Sequence, residues 1–189
     1  MIEPQTAKYT VDEFGEDVRR VVTKHGEAPE GILRLGPLLQ RLAKEGGDLW
    51  QLGEPAQGSS GLPARTLYRD PHQRFVLLLV QFRPNTPTAI HSHEGWVVTC
   101  VLSGSDHHTT WRRVEEESTP SRVKLEVAQD HHMFPGEIGY LFNAPYNIHR
   151  NWAGTEGVTE IHLAAGRGRR LYHIDEATGQ CLEAPNLGR

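Results

Sequence analysis

Cysteine is nearly absent from this chain: Cys100 and Cys181 are the only two in 189 residues. Two thiols cannot staple a small domain, so a disulfide framework is excluded as the basis of the fold, and a reducing cytoplasm is the expected home. Long apolar runs are missing too. The strongest, Arg74 to Phe82, is far too short to cross a bilayer, so no membrane span is expected. Cationic excess is also lacking, since 20 Lys and Arg against 24 Asp and Glu give a formal charge of −4 and a pI near 6.2. That balance argues against a nucleic-acid or membrane-surface binder. The opening residues, MIEPQTAKYTVDEFGED, are acidic and polar and do not read as a secretory signal. What the chain has in plenty is histidine, 11 residues in all, more than packing alone requires.

The length fits one structural domain with a sizeable core, read as a helical extension over 1–60 packed on a β domain over 61–189. Thr10-Val11-Asp12-Glu13 has the form of a capping box, and Val11, Phe14, Val18, Val21 and Val22 follow at helical spacing. Gly26 and Pro29 end that helix. A second is expected from Pro37 to Gly46-Gly47, with Leu38, Leu39, Leu42 and Ala43 buried. The stretch Gly53 to Gly61 reads as a loop. From Arg65 onward the pattern turns to short strands, beginning with the apolar run Arg74 to Phe82. Turns are expected at Arg83-Pro84-Asn85, Ser103-Gly104-Ser105-Asp106, Pro135-Gly136 and Gly154-Thr155-Glu156-Gly157, with a last strand over Arg170 to Ile174. Many short strands predict a mainly β sandwich or small barrel, of which the cupin jelly roll is one form.

His91-Ser92-His93 stands out chemically. On an extended strand side chains repeat with period two, so both imidazoles share a face, and His149 can close a three-nitrogen site. Imidazole suits iron, nickel, copper and zinc, and three ligands leave coordination positions open. His107-His108 and His131-His132 are adjacent pairs that face opposite sides of a strand, which predicts a solvated surface for both.

The segment Thr88 to His93 with Gly104 resembles the first cupin motif, and Pro135-Gly136, Pro145 and His149 resemble the second. TLYRDPHQRF, TAIHSHEGWVVTCVLSG, NIHRNWAG, VTEIHLA and RRLYHIDEATGQ together resemble the bacterial branch of the cysteine dioxygenase family, over about two thirds of the chain. The resemblance implies a cupin jelly-roll barrel and Fe(II) held by His91, His93 and His149. It also implies that a small thiol and O2 become a sulfinic acid in a monomer or small homo-oligomer. Many cupins place a glutamate four residues after the second histidine; here that position is Val97, and Glu94 points away. Arg65 matches the arginine that pairs with a substrate carboxylate, a task suited to a two-pronged guanidinium.

The family's Ser-x-His-x-Tyr stretch is Glu160-Ile161-His162-Leu163-Ala164 here. His162 survives, Glu160 can orient it, and Ala164 replaces a phenol, which enlarges the pocket and points to a thiol other than, or bulkier than, L-cysteine. Val98 stands where animal members carry the cross-linking cysteine. Trp96 and Tyr146 join Arg65 and Ala164 as substrate-binding positions, with core packing the plainer reading for Trp96. Tyr140 and Phe142 read as core and rim, and Cys100 as a small buried apolar side chain. The rival readings are a cupin enzyme with another metal and a non-thiol substrate, or a non-catalytic small-molecule-binding cupin.

Overall fold

The computed structural model describes residues 8–57, 62–119, 121–166 and 172–183. Helix α1 (Val11–His25) starts at the expected box: the Thr10 hydroxyl accepts the Glu13 backbone N–H, and Glu13 accepts the Thr10 N–H in return. A short α2 (Pro29–Ile32) intervenes before α3 (Leu35–Glu45), which begins two residues ahead of Pro37. Proline is tolerated there because first-turn amides have no intrahelical acceptor.

Ten strands follow: β1 (Glu54–Gln57), β2 (Pro63–Arg69), β3 (Phe75–Phe82), β4 (Ile90–Ser92), β5 (Val97–Arg113), β6 (Leu125–Met133), β7 (Ile138–Leu141), β8 (Ile148–Ala165), β9 (Tyr172–Ile174) and β10 (Cys181–Glu183). All named pairings are antiparallel. The fold is mainly β with a short helical region before it, as expected. Strand pairing begins at Glu54, inside the span read as helical extension and loop; residues 58–61 of that loop, and Arg170, lie outside the described residues.

β5 and β8 form the spine, paired from Val97↔Ala164 to Trp111↔Ile148. The turns expected at Ser103–Asp106 and Gly154–Gly157 are instead irregularities within these two long strands. The residue types are those of turns, but continued pairing on both sides turns them into bulges that bend the strands. Gly104 has φ of 78°, and a Cβ there would lie 2.0 Å from the Gly157 carbonyl oxygen, so only glycine fits.

The sheet has two distinct faces. On one, Leu77 and Leu79 of β3, Val98 and Cys100 of β5, and Ile161 and Leu163 of β8 pack with Phe14, Val18, Leu35, Leu39 and Leu42 of the helices. Each such side chain, fully buried, contributes roughly 1.5–3 kcal/mol, so this face is what fastens the helices to the strands. On the other, Ala64 of β2, Val80 and Phe82 of β3, Val101 of β5, Met133 of β6 and Ala153 and Val158 of β8 form a second cluster. β2 and β6 lie far apart in the strand order yet meet in it, so the sheet curls around an interior.

Candidate metal centre

His91 of β4 pairs directly with His149 of β8, so the two rings leave the sheet on one side. His93 follows β4 and is clamped: its N–H donates to the Asn147 carbonyl at 3.0 Å, and the Asn147 side-chain amide donates back to the His93 carbonyl. His149 Nε2 lies 3.0 Å from His93 Nε2 and 3.0 Å from His91 Nε2. Two metal–nitrogen bonds of about 2.1 Å at right angles subtend about that separation, so the three donors fit one ion. Among the described residues they are the one cluster of three or more His, Cys, Asp or Glu able to do so, and no carboxylate belongs to it. Glu94 is exposed beside them.

The protonation states suit a metal. Burial holds His91 down to about 4, and burial with neighbouring histidines holds His93 and His149 well below the usual imidazole value. All three are neutral near pH 7, so an ion displaces no proton from them. His91 Nδ1 lies 2.9 Å from the Ala89 carbonyl. A carbonyl only accepts, so Nδ1 carries the hydrogen and Nε2 presents its lone pair inward.

The adjacent-histidine expectation needs correcting at His108 and at its cross-strand partner His131, which is half-buried with its ring 5.8 Å from that of His108. His108 is 1% exposed and its Nε2 lies 2.9 Å from His149 Nδ1, directly behind the cluster. It pairs with Asn151 across β5 and β8 and shares that inner face. His107 does face outward, stacked on His132 and bonded to Asp130 at 2.7 Å. The miss has a simple cause: Asp106, His108 and Thr110 are the inward positions in the second half of β5, and none is apolar, so alternation gave no mark of the inner face there.

Further along β8, Glu160 and His162 point to the interior with Val80 and Leu78 of β3 as cross-strand partners. Glu160 Oε2 is 2.7 Å from His162 Nε2. Glu160 has no solvent exposure, and its Oε1 has no hydrogen-bond partner. Ala164 continues this face, opposite Val97. Val98 pairs with Leu163 and packs on the helical side, so the inner-face neighbour of Ala164 is Val97 and not Val98. Asp106, also unexposed, accepts from Asn151 Nδ2 at 2.7 Å and from the Trp152 N–H at 2.8 Å; burial and the charge of Glu160 push it up to about 8.

Of the expected substrate residues, Arg65, Trp96 and Tyr146 are placed away from this inner face. Arg65 pairs with Leu79, a residue of the helix-covered face, and its guanidinium donates at 2.8 Å to the carbonyls of both Leu52 and Gly53. Its two prongs hold the chain before β1, which corrects the carboxylate-binding expectation. Trp96 is 1% exposed within the helix-side cluster, a core residue. Tyr146 is 46% exposed on the rim of a cleft of about 550 Å³, together with Tyr140, Phe142, Gln129 and Thr110.

No protein-family model matches the chain, and no curated protein matches its sequence. Among solved structures it is similar to an RmlC-like cupin protein from Ralstonia eutropha, at 18% identity over 69% of this chain and 72% of that one, with a TM-score of 0.43. It is similar to KdgF from a Halomonas species at 16% identity over 61% and 87%, with a TM-score of 0.44. It is also similar to a DMSP lyase from Ruegeria pomeroyi at 13% identity over 50% and 40%, with a TM-score of 0.37, so it spans less than half of that protein. Likenesses this distant carry no weight for function; the fold assignment rests on the strand pairing itself. No described helix is long and apolar enough to cross a membrane.

Proposed function

We propose that the protein is a mononuclear non-haem iron enzyme that oxidises a small thiol with O2 to a sulfinic acid. Both oxygen atoms enter the product, so R–SH plus O2 gives R–SO2H and no external reductant is needed. The observation that carries the reading is the carboxylate-free set of three convergent neutral imidazoles, His91, His93 and His149. A divalent ion there keeps its full charge, which favours an anionic thiolate over a neutral ligand. Ferrous iron, when bound, supplies the thiolate coordination and one-electron chemistry toward O2 that no side chain here has.

The remaining roles fall to the chain itself. Glu160 holds His162 by one hydrogen bond, so His162 donates through Nε2 and keeps Nδ1 as an acceptor on the same inner face. Ala164, opposite Val97, puts a methyl where the resembled family has a phenol, which suits a thiol bulkier than L-cysteine. With Arg65 engaged elsewhere, a carboxylate on the substrate loses its argued partner, and bulk alone remains as the selecting property.

One observation favours a second reading. A buried carboxylate–imidazole pair is also the equipment for proton abstraction, which a metal-dependent lyase or isomerase would use without O2. The deciding experiment is O2 uptake by iron-loaded protein against a thiol panel of L-cysteine, cysteamine, 3-mercaptopropionate and ergothioneine, with 18O2 label followed into the product. Thiol-dependent uptake with two labelled oxygens supports the dioxygenase. Absence of uptake with every thiol removes it.

A further inference from the structure

We infer that His108 is a positioning residue for the metal centre, setting the tautomer in which His149 presents its Nε2 lone pair. The inference rests on the reading of His91, His93 and His149 as metal ligands and adds a residue to it.

An ion held between the three rings would need the lone pair of His149 Nε2, which stands 3.0 Å from two other imidazole nitrogens. The His149 hydrogen must then sit on Nδ1, and the group facing Nδ1 is His108 Nε2 at 2.9 Å. A neutral imidazole accepts at one nitrogen only when the other carries the hydrogen. His149 Nδ1–H therefore donates to His108 Nε2, and the His108 hydrogen sits on Nδ1. The rings meet edge to face at 84° with centroids 5.1 Å apart, so neither can turn over without leaving the other.

The far side of His108 carries a second, independent observation. His108 Nδ1 is buried with no hydrogen-bond partner, and so is Thr99 Oγ1. Both border one spot over Gly139, where a Cβ would meet Thr99 Oγ1 at 2.8 Å and His108 Nδ1 at 3.2 Å. Met133 Sδ would lie 3.1 Å from the same Cβ, so glycine at 139 is what lets these groups pack so closely on the strand. His108 Nε2 thus stands behind His149 as the Ala89 carbonyl stands behind His91.

The test measures Co(II) and Fe(II) dissociation constants by chelator competition, with melting of the metal-free proteins alongside. His108→Leu is expected to weaken binding about 10–100-fold, the usual cost of losing a ligand's supporting partner. His108→Gln, whose amide oxygen still accepts, is expected to recover most of that loss. Equal affinity in His108→Leu and wild type overturns the inference while leaving the metal reading intact. A wild-type chain that binds neither ion removes the metal reading and this inference with it. Long-range 1H–15N spectra of the Zn(II)-loaded wild type, labelled in histidine, give a readout that depends on no variant: an Nδ1–H tautomer at His108, which leaves Nε2 free to accept from His149, supports the assignment, and an Nε2–H tautomer at His108 overturns it.

Discussion

Glu160 Oε2 and His162 Nε2 lie 2.7 Å apart, two residues along one strand and on the same inward face. The carboxyl group has no solvent exposure and leaves Oε1 unpartnered. A buried carboxylate with one partner is expensive, and a fold keeps such a pair where it serves a task beyond stability. Glu160 thereby stands as the acceptor behind His162 Nε2.

Glu160→Gln keeps the volume and removes the charge. An amide can still meet His162, but in either orientation, so the imidazole loses its fixed tautomer. Turnover is expected to fall by about 10²-fold or more, the range of general acid–base contributions, with iron content within a factor of two of wild type. Parallel loss of iron and activity would place Glu160 in support of the ligands instead.

Replacing His91, His93 or His149 by Ala is expected to leave less than about a tenth of the wild-type bound iron, because two imidazoles rarely hold Fe(II) against buffer. His107→Ala, on the outer face, is expected to bind iron as wild type does. Metal analysis after gel filtration checks both. Iron retained in full by His149→Ala removes it from the ligand set.

How far the sequence disclosed this arrangement depends on the chemistry of each face. The capping box at Thr10, the apolar stripe of α1 and the run in β3 were legible because burial of hydrocarbon leaves a periodic trace. The His91-Ser92-His93 pair was legible because period-two alternation fixes the face of both rings. His108 was not, since the wall it sits in is polar and carries no hydrophobic rhythm. Arg65 misled for a different reason. Strand parity alone does not say which face is the interior, and its partner Leu79 belongs to the helix-covered side. Gly104 and Gly157 read as turns because a bulge and a turn ask the same positive φ of the backbone.

Arg65→Ala is expected to act on stability and not on substrate affinity. Two charge-assisted hydrogen bonds to the Leu52 and Gly53 carbonyls are lost at a partly exposed site, at a cost of about 1–2 kcal/mol. Denaturant unfolding should show that loss while KM for the best thiol stays within about twofold. A large rise in KM at unchanged stability would return Arg65 to the substrate.

Metal-free protein should show a stability maximum near pH 6.5. His91 is held to about 4 and His108 to about 3 by burial, and His93 and His149 are also depressed. The unfolded chain binds those protons first, so stability falls as pH drops below about 6.5, by about 1.4 kcal/mol per unit for each histidine still refusing its proton. Asp106 runs the other way. Its raised value, about 8, means the fold keeps a proton that the unfolded chain has lost, so its contribution fades as pH rises toward 8. Four histidines outweigh one aspartate on the acid side, and Asp106 acts against no depressed histidine above 6.5. Melting temperatures across pH 4–8 test the sign; stability that rises steadily toward acid contradicts the burial of neutral imidazoles.

Selectivity turns on Ala164, which continues the Glu160–His162 face and lies opposite Val97. Two apolar side chains smaller than a phenol stand there, and they offer no hydroxyl to a bound thiolate or to oxygen. A substrate with more bulk around its sulfur can bury that bulk against Val97 and Val76, gaining about 25 cal/mol for each Å² of apolar surface removed from water. L-cysteine has little such surface to offer, so it is expected to turn over weakly beside a larger thiol such as ergothioneine. Ala164→Tyr should then cut kcat/KM for the preferred bulky thiol by tenfold or more, about 1.4 kcal/mol, while leaving L-cysteine oxidation unchanged or improved. The two substrates must move apart for the argument to stand, because a variant that merely disturbs the fold lowers both. If the wild-type chain prefers L-cysteine over every larger thiol, the space beside Ala164 does not set selectivity, and the pocket must be bounded by other walls.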